Sequence, residues 1–145
     1  MDNYSFLSIY SLIKLKKIMN WYLKVFRQYS DFKGRARRKE YFMFGVINAV
    51  FSIGCMLLSF GLSNWLDSPA FIAIYVLYML VSLLPSLAVS VRRMHDIGKS
   101  GWMLLVGFIP LVGSIWMIIL LITDSDPQNN QYGPNPKEEL IPENV

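Results

Sequence analysis

The chain has little cysteine, little histidine and, over most of its length, little charge. A single cysteine, Cys55, excludes an intrachain disulfide, and a single histidine, His95, leaves a metal site short of the three or four converging ligands that it needs. Only 17% of the residues are charged, whereas 54% are hydrophobic. Charge is absent from residues 42–66, 70–91 and 102–122. This segregation argues against a soluble fold, whose amphipathic helices keep a charged face in water.

The three uncharged stretches are long enough to cross a bilayer. As helices they extend about 37, 33 and 31 Å, against a hydrocarbon core of about 30 Å. A chain of 145 residues is too short to enclose three such helices in a soluble core. We therefore predict an all-α polytopic membrane protein with three transmembrane helices and an N-terminal interfacial amphipathic helix, in contact with the lipid bilayer and without a cofactor or metal.

The third stretch allows two interpretations. Gly107, Pro110 and Gly113 lie near its middle and could divide it into two half-helices that form a re-entrant hairpin. A kinked single crossing is the interpretation that we favour. It places the segment after residue 122, in which Lys137 is the only basic residue, outside the cell.

The chain divides into an N-terminal extension (1–18), a single membrane domain (19–137) and an acidic mobile tail (138–145). Met19 begins a fresh run of aromatic and basic residues, so we interpret it as a natural start, with a longer interfacial helix as the alternative. Ten of the fourteen lysine and arginine residues precede the first stretch and three lie at 92–101. Basic residues flanking spans stay inside, so the N-terminus is predicted to be cytoplasmic.

Two stripes of small and polar residues run along the first two stretches at helical spacing. Helices in lipid associate through close packing at small residues and through hydrogen bonds, so these stripes are predicted to face other helices. The helix-packing residues are Gly45, Asn48, Ser52, Cys55, Ser59, Ser82, Ser86 and Ser90.

The most polar part of the chain joins the second and third stretches. Arg92 and Asp96 are spaced to pair along one helix, Gly98 is suited to end that helix, and Ser100 is suited to cap the next. Charged groups are unfavourable at the bilayer centre, so this segment must reach the surface. We predict that it contacts anionic lipids, and we expect no nucleic-acid partner. The candidate lipid- or anion-binding residues are Arg35, Arg37, Arg38, Arg92, Arg93, His95 and Lys99.

Five short motifs follow one another in the order GRARRKEY (34–41), RRMHD (92–96), SGW (100–102), IPLVG (109–113) and NQYGPNP (130–136). In this order they resemble the domain-of-unknown-function 805 family, the YhaH/YhaI-like bacterial inner membrane proteins. The resemblance covers about residues 19–137 and implies an inner membrane location and a short polytopic fold, but no reaction. The chain departs from the family pattern at Phe42 and Met103, where the family tends to have tryptophan, and in residues 1–18.

Three functions are compatible with these features. We favour a non-enzymatic module that packs with itself or with a partner membrane protein. The alternatives are a subunit of an oligomeric transporter or channel, and a protein that binds or modifies lipid headgroups through residues 92–99, with His95 and Asp96 as the reactive pair.

Overall fold

The computed structural model describes residues 3–138. Residues 139–145, most of the predicted acidic tail, lie outside the described range. Within that range the regular elements are all helices, and one isolated bridge joins Asn130 and Gly133. The α-helices are α1 (Asn3–Arg27), α2 (Arg38–Trp65), α3 (Ile72–Asp96) and α4 (Val112–Ile122), and two 3₁₀ helices span Pro69–Phe71 and Gly101–Phe108.

Helices α2 and α3 form an antiparallel pair of long apolar helices. The apolar segments Arg38–Trp65 and Pro69–Asp96 each contain 28 residues, which is about 42 Å of helix and enough to cross a bilayer. In the most apolar 18-residue part of each segment, only 11% and 22% is buried. The core helix of a soluble protein would be mostly buried. Asp67, with φ of +48°, makes the tight turn between them.

Helix α3 continues beyond the predicted end at residue 91 and stops at Asp96. Gly98 ends it as predicted, with φ of +69°. Its amide donates to the His95 carbonyl at 3.0 Å and the Lys99 amide donates to the Met94 carbonyl at 3.0 Å, the pattern of a Schellman motif. The predicted cap at Ser100 is also confirmed, because its hydroxyl accepts from the Trp102 amide at 3.4 Å.

The prediction of a kinked single crossing by residues 102–122 is wrong. The chain forms the 3₁₀ helix Gly101–Phe108, reverses at Leu111 with φ of +63°, and returns as α4. Each leg is only about 16 Å long. The legs meet at Gly113, where an added side-chain Cβ would lie 2.0 Å from the Val106 carbonyl oxygen. This hairpin is the alternative that the glycine and proline residues allowed.

The tail after α4 therefore lies at the same end of the molecule as residues 92–100, not at the opposite end as expected. The Asp126 amide donates to the Asp96 carbonyl at 2.9 Å, and Asn130 Nδ2 donates to the His95 carbonyl at 3.0 Å. The tail packs as an ordered turn on the end of α3.

Helix α1 is continuous through Met19, with no break at the predicted boundary after residue 18. Its C-terminal half packs on α2 and α3 through Tyr22 and Val25, which form a core with Ala36, Phe44 and Val89. The rings of Tyr22 and Phe44 stack at 5.5 Å. Side chains of residues 8–16 are exposed, so among the described side chains of α1 the packed ones lie in its C-terminal half.

Candidate functional site

The end of α3 carries a buried carboxylate that is surrounded by donors. The Asp96 side chain has no exposed surface. Arg35 Nε lies 3.2 Å from Oδ1, while Arg93 Nη1 at 2.5 Å and the Ser125 hydroxyl at 2.6 Å both reach Oδ2. A buried carboxylate needs hydrogen-bond donors on both oxygens, because its removal from water is otherwise strongly unfavourable.

Arg35 connects the segment before α2 with the C-terminal tail. Its Nη1 donates to the carbonyls of Gln128 at 2.8 Å and Gly133 at 3.3 Å. Its Nη2 donates to the Asp126 carbonyl at 2.6 Å and to the Asp96 carbonyl at 3.3 Å. The planar guanidinium with its five N–H groups suits such a set of fixed acceptors. One side chain therefore orders the tail against the end of α3.

Arg93 joins the end of α3 to the end of the hairpin through hydrogen bonds. Its Nε donates to the Leu121 carbonyl at 3.2 Å, and its Nη2 donates to the Thr123 carbonyl. These carbonyls belong to the last turn of α4, where no helical donor remains to satisfy them. A cation is also favoured there by the helix dipole. The returning leg is thereby held at the level of α3's charged end.

A second cluster joins α1, α2 and α3. Glu40, whose side chain is 1% exposed, accepts from Lys24 Nζ at 2.8 Å, and its Oε1 lies 3.5 Å from Arg92 Nη1. Arg92 Nη1 also donates to the Gln28 side-chain carbonyl. The prediction that Arg92 pairs with Asp96 is wrong: Arg92 pairs with Glu40, and Asp96 pairs with Arg93 and Arg35.

His95 lies beside the Asp96 cluster but does not join it. Its Nδ1 is 3.2 Å from the Gly34 carbonyl oxygen. Its ring stacks on Tyr132 with centroids 3.7 Å apart and planes 2° from parallel. No acidic side chain of residues 3–138 contacts this ring. The hydrogen-bonded His95–Asp96 pair of the lipid-modifying alternative is therefore not formed. Among residues 3–138 there is likewise no group of three metal-ligating side chains.

The predicted lipid- or anion-binding residues separate into two groups. Arg35, Arg92 and Arg93 are buried and engaged by protein groups, and their role in lipid or anion binding stays a prediction. Arg37 packs over the Trp21 ring at 4.4 Å. Arg38, which is exposed, donates to the Ile122 carbonyl at 2.9 Å and lies 3.2 Å from Asp124.

Lys99 and Lys137 are exposed cations near the end of α3 and in the tail. Lys99 lies at the surface just beyond α3. Lys137 Nζ donates to Asp124 at 2.6 Å, and this contact lowers the pKa of the Asp124 carboxyl below its ordinary value. Together with Arg37, Arg38 and Lys39, Lys137 lines a shallow depression of about 290 Å³.

Only some of the predicted helix-packing residues contact the neighbouring helix. Tyr78 Oη donates to Asn48 Oδ1 at 2.8 Å across the α2–α3 interface. Ser59 and Ser82 are buried, Cys55 is half-buried, and Ser52 lies 3.9 Å from the Met79 sulfur. Gly45 is exposed with open space around it, so it makes no close approach.

The serines of α3 do not hydrogen-bond across helices. Ser82, Ser86 and Ser90 donate instead to carbonyls of their own helix, at 3.2, 2.6 and 2.7 Å. A serine in an apolar helix satisfies its hydroxyl most readily one turn back. The hydrogen bond to Asn48 across the interface therefore depends on Tyr78, which lies one turn before Ser82 on α3.

Sequence reasoning missed Glu40, Ser125 and the tail carbonyls as members of the site. The one signal that pointed to them was the scarcity of acids: Glu40 and Asp96 are isolated carboxylates inside basic segments. An acid in that setting at the edge of a membrane is expected to neutralise neighbouring cations.

Comparison with known proteins decides the family. The model of the family described as "Protein of unknown function (DUF805)" matches residues 29–134. The chain belongs to this family. It is 40% identical over 119 residues to inner membrane protein YhaI of Escherichia coli strain K12, covering 82% of this chain and 97% of the relative. It is 39% identical over 121 residues to inner membrane protein YhaH of the same strain, covering 83% and 99%.

Membership of this family confirms the resemblance seen in the motifs. Relatives named as bacterial inner membrane proteins, together with two long apolar helices that are mostly exposed, identify a membrane protein. The matched residues 29–134 contain both charge clusters except Lys24 and Gln28. No solved structure matches the chain.

Proposed function

We propose that this protein is a non-enzymatic module of the inner membrane that packs with a second copy or a partner membrane protein. The observation that supports this best is the set of hydrogen bonds made by Asp96, the most deeply buried acid of the site. Its carboxylate is occupied by Arg35, Arg93 and Ser125. A general acid or base must be able to reach a substrate proton, whereas a carboxylate enclosed by cations holds segments together.

The distribution of basic residues supports a cytoplasmic N-terminus. All fourteen lysines and arginines lie before residue 40 or after residue 91, while the turn after α2 contains Asp67 and no basic residue. With the hairpin returning to its starting side, these two groups meet at one end of the molecule. Under the positive-inside rule that end is cytoplasmic, with two full crossings, a re-entrant hairpin and both termini inside.

Helix α1 is placed by this proposal along the cytoplasmic face of the bilayer. Trp21 lies between the cations of Lys24, 5.5 Å from its ring, and Arg37. Exposed Leu23 and Met19 supply apolar contact on the same helix. Aromatic and basic residues in this mixture are typical of interfacial helices.

Anionic lipid is the partner that the remaining surface cations favour. The depression lined by Arg37, Arg38, Lys39 and Lys137 lies beside the start of α2. A basic residue close to an anionic leaflet contributes about 1 kcal/mol to binding. In this proposal headgroups contact the exposed cations, while buried Arg35, Arg92 and Arg93 hold the fold.

Site-directed crosslinking in native membranes tests the packing role. In a Cys55→Ser background, Leu57→Cys and Leu80→Cys place thiols on outer faces that are 63% and 61% exposed. Ser59→Cys, at a position only 1% exposed, is the matched buried control. We expect one outer position to give a discrete adduct that the control lacks.

Failure of both outer positions, with monomer-sized behaviour in mild detergent, would contradict the packing role. A transporter or channel subunit would also give adducts, since two crossings are too few to form a pore alone. Solute flux in liposomes containing the purified protein separates that alternative from the module proposed here, which is expected to show none.

A further inference from the structure

An apolar cavity of about 560 Å³ lies between α3, the 3₁₀ helix Gly101–Phe108 and the tail. Its walls include Leu87, Val91 and Leu105. Trp102 and Phe108, also in the wall, are 78% and 83% exposed, so the cavity opens sideways, toward lipid in a membrane. It shares no charged residue with the clusters described above.

The two ends of the cavity differ in polarity. His95 and Tyr132 lie at one end, next to the charged end of α3. Leu87 lies eight residues earlier on the same helix, which is about 12 Å deeper. The cavity therefore runs from the polar boundary into the apolar layer, as a bilayer lipid does.

His95 presents one unpaired ring nitrogen in this setting. A carbonyl only accepts hydrogen bonds, so the contact with Gly34 requires a proton on Nδ1. In the neutral imidazole Nε2 is then an acceptor. His95 lines the cavity, and no group within residues 3–138 donates to Nε2. This acceptor is therefore free to pair with an occupant of the cavity.

The chemistry of the walls limits what can occupy the cavity. None of the lining residues is lysine, arginine, aspartate or glutamate. A lipid phosphate would bring a charge that nothing there neutralises, and a phosphodiester has no hydrogen to donate to Nε2. An uncharged head with a hydroxyl group satisfies both conditions.

We propose that this cavity binds a neutral, hydroxyl-headed bilayer lipid. The head hydroxyl donates to His95 Nε2, and the chain lies against Leu87, Val91 and Leu105. This site is separate from the packing role and from the surface cations, neither of which requires it.

Two photoreactive probes test the site in the full-length protein reconstituted in nanodiscs: a diacylglycerol and its methyl ether, in which a methyl group replaces the hydroxyl hydrogen and removes the donor. We expect the diacylglycerol to label residues 87–108 about fivefold more than the ether, as one ordinary hydrogen bond predicts. His95→Asn keeps a donor for Gly34 but removes the acceptor, and is expected to abolish this preference. His95→Gln, whose amide oxygen reaches the Nε2 position, is expected to restore it.

A second pair of variants tests the cavity itself without altering His95. Leu105→Trp fills the cavity and should remove labelling by both probes, whereas Leu80→Trp, on an outer face of α3, should leave it unchanged. Equal labelling by the two probes in the unmodified chain would overturn the proposal. So would stronger labelling by a photoreactive phosphatidic acid, or a preference that survives His95→Asn.

Discussion

Arg35 and Asp96 are 61 positions apart in the chain, yet Arg35 Nε lies 3.2 Å from Asp96 Oδ1 with both side chains buried. The pair joins the segment before α2 to the end of α3. Through its remaining N–H groups Arg35 also holds the tail. The charged end of this fold is therefore a single connected unit.

Removing the negative charge from this unit is expected to be severe. Asp96→Asn keeps the shape of the side chain but removes the carboxylate charge. The Arg35 and Arg93 charges are then buried without an anionic partner. Breaking a buried pair in this way destabilises by about 3–5 kcal/mol. Thermal unfolding in mild detergent measures the loss, and Asp124→Asn, at an exposed acid, is the matched control, with little change expected. Equal shifts in the two variants would contradict the role assigned to Asp96.

Arg35→Lys tests whether charge alone orders the tail. Lysine keeps the charge but cannot reach the four carbonyls and the carboxylate at once. Amide hydrogen exchange in residues 124–138 is expected to accelerate by at least tenfold, while exchange in the middle of α2 stays unchanged. Lys33→Arg, at an exposed position nearby, is the control. Unchanged protection of the tail in Arg35→Lys would show that charge is sufficient.

The hairpin depends on close contact between its legs. A Cβ at Gly113 would meet the Val106 carbonyl oxygen at 2.0 Å, whereas a Cβ at Gly107 would meet the Met117 methyl carbon at 3.6 Å, an ordinary contact. We expect Gly113→Ala to destabilise by about 1–3 kcal/mol, as overpacking does. Gly107→Ala should cost much less. Thermal unfolding of the two variants side by side measures the difference, and the reverse order would contradict the hairpin.

Away from the Glu40–Arg92 pair, the contact between α2 and α3 has one short side-chain hydrogen bond. Tyr78→Phe removes the hydroxyl that donates to Asn48 at 2.8 Å. Interhelical hydrogen bonds in membranes contribute about 0.6 kcal/mol on average and up to about 1.7. We expect a loss in this range by denaturant unfolding in detergent. Tyr75→Phe, one turn earlier, is the control. A comparable loss of unfolding free energy in that variant would show that the hydrogen bond to Asn48 is not the cause.

The sequence predicted the parts of the fold that depend on local chemistry. Uncharged runs of sufficient length became α2 and α3, and Gly98 and Ser100 ended and capped helices as expected. These outcomes depend on a residue and its neighbours within one turn. Backbone sterics and capping chemistry decide them before any long-range contact is made.

Contacts between distant segments were not predictable in the same way. Arg92 had Asp96 one turn away, but tertiary packing brought Glu40 to Arg92 and left Asp96 to Arg93 and Arg35. The hairpin was the less favoured of the two interpretations for a related reason. An apolar run of 21 residues (102–122) is compatible with one crossing or with two short legs, and only the packing of Gly113 on Val106 distinguishes them.

The central claim is that the chain crosses the membrane twice and returns its tail to the cytoplasmic side. Labelling by a membrane-impermeant thiol reagent tests it in a Cys55→Ser background carrying Ser68→Cys, Lys99→Cys or Glu138→Cys. In intact spheroplasts only Ser68→Cys should react, and the other two should react only after the membrane is opened. Labelling of Glu138→Cys from outside, with Lys99→Cys protected, would establish a third crossing and contradict the account.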